Sequence, residues 1–125
     1  LRWLFLLTVG APLWAAELKP DEAREQAVAA WKAGKHREAV ELVSEALNQH
    51  PKEGRLWHFR AQMRLLMKDG KGALHDLDEA VKLDDDSAFL RQERATLRFR
   101  AGLLQEAVAD FDKANDLSPQ LAPQN

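Results

Sequence analysis

The sequence predicts an all-α protein, an α-solenoid of three helix-turn-helix hairpins, and three observations lead there. The composition leans on Ala, Leu, Glu, Asp, Lys and Arg, with no Tyr, six Gly and five Pro, which favours helix over sheet. Small and large apolar residues return with a period of 34 residues. Gly and Pro fall at repeated places between the apolar segments, where helices end.

The period is clearest when AVELVSEALNQHP from Ala39, ALHDLDEAVKLDD from Ala73 and AVADFDKANDLSP from Ala107 are aligned, since no insertion is needed. Extended backwards, that register gives repeats at 20–53, 54–87 and 88–121. Ala27, Ala61 and Ala95 share one position, Ala39, Ala73 and Ala107 a second, and Ala46, Ala80 and Ala114 a third. Antiparallel helices approach to about 8–10 Å according to side-chain size, and alanine permits the shorter distance. The larger Val40, Leu74 and Val108, then Val43, Leu77 and Phe111, recur between the alanines at spacings of three and four, the pattern of an amphipathic helix. Helices are expected at about 20–33, 37–49, 54–68, 71–83, 88–101 and 105–117, to within two to four residues. Gly34 and Gly102 stand between the two helices of their hairpins, where a left-handed residue reverses the chain. Pro51 and Pro119 follow the second helix.

Residues 1–16, LRWLFLLTVGAPLWAA, differ from the rest. One charge, Arg2, precedes an apolar run broken by Gly10 and Pro12, and small residues follow. That is the layout of a secretory signal. The run is shorter than the roughly 20 residues that span a bilayer; an uncleaved anchor and a buried N-terminal helix remain the alternatives. The domains expected are therefore a signal over 1–16, three repeats within 17–121 and a short tail over 122–125.

Charge and chemistry narrow the function classes. The net charge is −2 and no run of Lys or Arg suggests nucleic acid as a partner. Without Cys there is no disulfide, thiolate nucleophile or Cys-ligated zinc. His36, His50, His58 and His75 form no i, i+4 pair on one helix, and Asp84, Asp85 and Asp86 lack the spacing of a calcium loop. No phosphate-binding, dinucleotide or hydrolase motif occurs. Neither an enzymatic activity nor a cofactor is expected.

A 34-residue hairpin with Ala at its eighth, twentieth and twenty-seventh positions and Pro at its thirty-second resembles the tetratricopeptide repeat family. The likeness covers residues 20–121. Trp57 stands where the family has a large aromatic, while Asp85 replaces the proline, and Arg64 and Arg98 replace a frequent tyrosine. The resemblance implies a right-handed superhelix that binds a peptide or protein partner in a concave groove lined by the first helix of each repeat. Carried over position by position, it nominates Arg24, Trp31, Arg55, His58, Phe59, Gln62, Phe89, Phe99 and Arg100. Trp31, Leu65 and Phe99 share a position that can also turn into the hairpin core. Phe59, from the middle repeat, is the expected central anchor. The family's carboxylate clamp for chaperone tails would fall on Arg24, Val28, Phe59, Phe89 and Glu93, of which only Arg24 keeps the chemistry.

Repeats two and three also share Arg60 with Arg94, Arg64 with Arg98 and Asp76 with Asp110, where the first has Gln26, Ala30 and Leu42. These are expected to pair across neighbouring helices, as exposed pairs contributing about 0–1 kcal/mol each. Asn115 replaces the apolar Leu47 and Val81, so the last helix is expected to face water and the domain to be monomeric. The resulting expectation is an exported, periplasmic protein-binding module that acts in envelope or secretion assembly and is free of the membrane once its signal is cleaved. The alternative is a structural module that assembles with copies of itself.

Overall fold

The computed structural model describes residues 17–119. They form six helices: α1 Pro20–Lys32, α2 His36–Gln49, α3 Gly54–Leu66, α4 Gly70–Leu83, α5 Ala88–Arg100 and α6 Leu104–Leu117. All six match the sequence expectation to within one or two residues, and together they make three hairpins. The expected signal over 1–16 and the tail over 122–125 lie outside the described residues. No described helix is long and apolar enough to cross a membrane.

The chain divides into two compact units, one up to Leu56 and one from Trp57 onward. In the first, α1 packs on α2. Pro20 opens α1, and Ala23 and Ala27 are its buried residues; α2 buries Ala39, Val43, Ala46 and Leu47. The segment before α1 is tied down by the Leu18 N–H, which donates to Gln49 Oε1 at 2.8 Å.

The second unit has a core of Ala61, Ala73, Leu77, Ala80, Val81, Leu90 and Leu97, with Trp57 and Leu74 packed against it. Into this core run two buried carboxylates. Asp76 on α4 is fully buried and accepts from Arg60 Nε at 2.9 Å and Arg60 Nη2 at 2.8 Å. Arg64 Nη1 reaches both its oxygens at 3.0 Å. One repeat later, Asp110 on α6 accepts from Arg94 Nε at 2.8 Å, Arg94 Nη2 at 2.7 Å and Arg98 Nη1 at 2.7 Å. Arg94 also donates to Asp78 at 3.1 Å, so it joins α4, α5 and α6. The Arg94 guanidinium is held above its ordinary pKa, first by the Asp110 hydrogen bond and against the opposing cost of burial.

The pairing expected from the sequence is present, but it is not an exposed pairing. Arginine's planar fork matches a carboxylate with two parallel bonds, and one such fork together with the Nη1 of a second arginine satisfies each buried carboxylate. Arg60 further lies 5.0 Å from the Trp57 ring centroid.

Each hairpin turns through the same closure. The Lys35 N–H donates to Ala30 O at 2.9 Å, the Asp69 N–H to Arg64 O at 2.8 Å and the Leu103 N–H to Arg98 O at 2.8 Å. The residue before each donor is left-handed: Gly34 at φ 81°, Lys68 at φ 64° and Gly102 at φ 82°. Lysine therefore sits where the other two repeats use glycine, and Gly70, two residues later, does not take over that role. Gly72 has a different purpose, because a Cβ there would collide with the side chains of Asp69 and Arg64. Asp69 caps α4 by accepting from the Gly72 N–H at 2.9 Å.

A left-handed conformation costs a residue with a Cβ roughly 1–2 kcal/mol, partly returned by the greater chain entropy of glycine. Lys68→Gly is therefore expected to raise stability by about 0.5–1 kcal/mol in urea unfolding, and Gly102→Ala to lower it by about 1 kcal/mol. Asp76→Ala leaves two guanidinium groups beside a buried space and is expected to cost about 3–5 kcal/mol. The triple apolar change Arg60→Met, Asp76→Leu, Arg64→Leu should restore most of that loss, since a buried ion pair and a well-packed apolar set are often close in stability. The same urea titration, run on both variants, measures the difference.

Candidate functional site

The first unit carries three of the nominated residues. Trp31, at the end of α1, is half-buried under His36, with ring centroids 4.0 Å apart and planes 28° from parallel. It is neither a core residue nor a bare anchor; the histidine that opens α2 covers it. Arg55 is exposed and engaged by acids of its own unit, Glu53 at 3.0 Å and Asp21 at 3.6 Å. Those contacts hold its pKa above the ordinary value, the Glu53 hydrogen bond foremost. Arg24 is exposed on α1.

The second unit gathers the remainder on the first helices of its hairpins, α3 and α5. His58 Nε2 lies against Glu93 Oε2, and the His58 ring meets Phe89 edge-on with centroids 5.7 Å apart. Phe89 is 55% exposed. Phe59, the expected central anchor, is half-buried, and Phe89 is the more exposed of the two. Gln62 and Arg100 line a hollow of about 200 Å³ together with Ala61, Leu65, Leu77, Glu93, Thr96 and Leu97. Its floor is aliphatic and its rim polar. Phe99 is 62% exposed, which removes it from the core. Leu65, at the same repeat position, also reaches solvent.

Glu93 matters more than its absence from the nominated set implies. It engages His58 and lines the hollow, and the signal was available in its groove position one repeat after Phe59. A second hollow, of about 240 Å³, lies beside the first and shares Leu65, Leu97 and Arg100 with it. Its other lining residues, Gly70, Lys71, Leu74 and Ala101, lie on α4 and at the end of α5. Sequence reasoning missed it because it looked along the first helices only. Among the described residues no three His, Asp or Glu side chains converge as metal ligands would.

No protein-family profile matches the chain. Tetratricopeptide repeat protein 36 of Bos taurus is 33% identical over 112 residues, covering 86% of this chain and 60% of that protein. The chain carries three tetratricopeptide repeats. It spans less than two thirds of the length of this bovine relative. Among solved structures, the second tetratricopeptide domain of Spaghetti (RPAP3) bound to the HSP90 peptide SRMEEVD matches at a TM-score of 0.70 and 24% identity. That match covers 82% of this chain and 94% of the domain. The Yersinia enterocolitica type III secretion chaperone SycD, in complex with a peptide of the translocator YopD, matches at 0.70 and 17% identity over 81% of this chain and 77% of that one. At these identities the two structures speak to the fold.

Proposed function

We propose that this repeat array is a protein-binding module whose second unit receives a peptide segment across α3 and α5, with Phe89 as its aromatic anchor. The observation that carries this reading is the exposure of Phe89 on a rigid helix, steadied at its edge by His58, beside an aliphatic hollow with a polar rim. A few anchoring residues, aromatic ones prominent among them, carry most of the binding energy at interfaces. Both solved relatives described above hold peptides, one of HSP90 and one of a translocator, which supports the same class of ligand here. An acidic chaperone tail is not the ligand we favour, since Phe59, Phe89 and Glu93 replace the clamp's polar and basic groups and Glu93 would repel such a tail. The signal-like residues 1–16 support a place for this activity in the cell envelope.

Selection of a phage-displayed random peptide library on the purified chain supplies a ligand for the test. Phe89→Ala is expected to weaken the selected peptide at least tenfold, about 1.4 kcal/mol, with helicity unchanged by circular dichroism. Unchanged affinity would overturn the reading.

Self-assembly is favoured by one separate observation. On α6, Leu104 is 55% exposed and Val108 57% exposed, although Asn115 on the same helix is polar. If that face joins copies, light scattering is expected to give a mass above the monomer that falls on dilution and with Val108→Lys; a constant monomer mass rejects it.

A further inference from the structure

The hollow beside Gly70 lies where the second repeat lacks a side chain that the other two carry. One repeat position holds His36, Gly70 and Leu104, and the position five residues before it holds Trp31, Leu65 and Phe99; in the third hairpin Leu104 leaves Phe99 62% exposed. In the first hairpin His36 stacks on Trp31. In the second the position is glycine. Leu65 is left uncovered, and a space of about 240 Å³ opens between Leu65, Leu74 and Leu97. Gly70 is not needed for a backbone reason, because its φ is not left-handed and a Cβ on it would meet nothing within 4 Å. A cavity of about 150 Å³ lined by aliphatic residues is enough for a benzene-sized group.

The rim of this space has one sign of charge. Lys71 and Arg100 line it, and neither makes an ion pair with any described residue. The acids of the neighbourhood are engaged elsewhere: Asp69 caps α4 and approaches Arg64 at 4.0 Å, and Glu93 is held by His58. An aliphatic floor beneath two unpaired cations is complementary to an aliphatic group with a carboxylate next to it. The adjoining hollow continues past the shared Leu65, Leu97 and Arg100 along α5, which suits an extended chain better than a compact ligand.

We propose that the Gly70 hollow is a specificity pocket that takes a Leu-like side chain of a bound peptide, with the adjacent Asp or Glu of that peptide set against Lys71 and Arg100. This rests on the reading of the second unit as a peptide-binding face, and it names the sequence feature that face selects.

The probe is a capped octapeptide of Gly, Ser and Ala carrying one central Leu-Glu pair, with Leu-Gln and Ser-Glu versions, titrated into the full chain while the methyl resonances of Leu65, Leu74 and Leu97 are followed. The Leu-Glu peptide is expected to shift all three saturably. Gly70→Leu fills the hollow and is expected to weaken that binding at least tenfold, in a position where the third repeat already carries leucine. Lys71→Gln and Arg100→Gln, like the Leu-Gln peptide, are expected to weaken it about two- to fivefold, the size of an exposed charge pair, and the Ser-Glu peptide more than that. Circular dichroism of each variant confirms that the helices persist. Shifts confined to His58, Phe59 and Phe89 that ignore Gly70→Leu would overturn the pocket while leaving the peptide-binding face intact. Silence of all three methyls in the millimolar range would also overturn it, and that outcome is separate from the Phe89→Ala titration, which judges the face itself.

Discussion

A carboxylate taken out of water must be met by cations and hydrogen-bond donors, because the cost of burying it unpaired is several kcal/mol. In the second unit this requirement governs how the hairpins close. Asp76 and Asp110 each lie on the second helix of a hairpin, and each is hydrogen-bonded by two arginines one turn apart on the first helix, with Arg91 at 3.8 Å from Asp110 as well. A bidentate fork tolerates little rotation of either helix, so the two pairs set the register in which α3 meets α4 and α5 meets α6. The alanines at Ala61, Ala73, Ala95 and Ala107 allow the approach; the arginine forks define its orientation. Repeat one has Gln26, Ala30 and Leu42 at the matching places and buries Ala23 and Ala27 of α1 and Ala39, Val43, Ala46 and Leu47 of α2.

The same arrangement explains what remains for binding. Arg60, Arg64, Arg94 and Arg98 point into the hairpins and spend their charge there. The other face of α3 and α5 keeps His58, Gln62 and Leu65, then Phe89, Glu93, Thr96 and Arg100. Of these, His58 and Glu93 satisfy each other, and Arg100 stays available. This face thus combines the exposed apolar side chains of Leu65 and Phe89 with polar neighbours and the cation of Arg100, although the unit's interior is rich in charge. Electrostatic attraction of that size adjusts rate and register more than it supplies affinity, which leaves the aromatic and aliphatic contacts to set the strength.

The turns add a second constraint. A six-residue closure with one left-handed residue ends the first helix of every hairpin, whether that residue is Gly34, Lys68 or Gly102. Lys68 takes that conformation next to Asp69, which caps α4, while Gly72 gives Asp69 and Arg64 room to approach. With those duties assigned to positions 68, 69 and 72, Gly70 has no structural role, and its missing side chain becomes the opening onto Leu65.

Helix count, phase and the positions of close contact were legible in the sequence, because period and residue size are local properties that three copies repeat. The pairing of Arg60, Arg64 and Asp76 with their counterparts was legible too, as spacing. Their burial was not, since accessibility depends on everything packed around a residue and a string of letters carries no such sum. The candidate site divided the same way. That Phe89, Gln62 and Arg100 share the first-helix face follows from their repeat positions, whereas the half-burial of Phe59, the covering of Trp31 by His36 and the exposure of Phe99 came only with the coordinates. Those three aromatics differ in what lies across the turn from them or beside them, and that is decided by which side chains the folded helices bring within a few ångströms of one another.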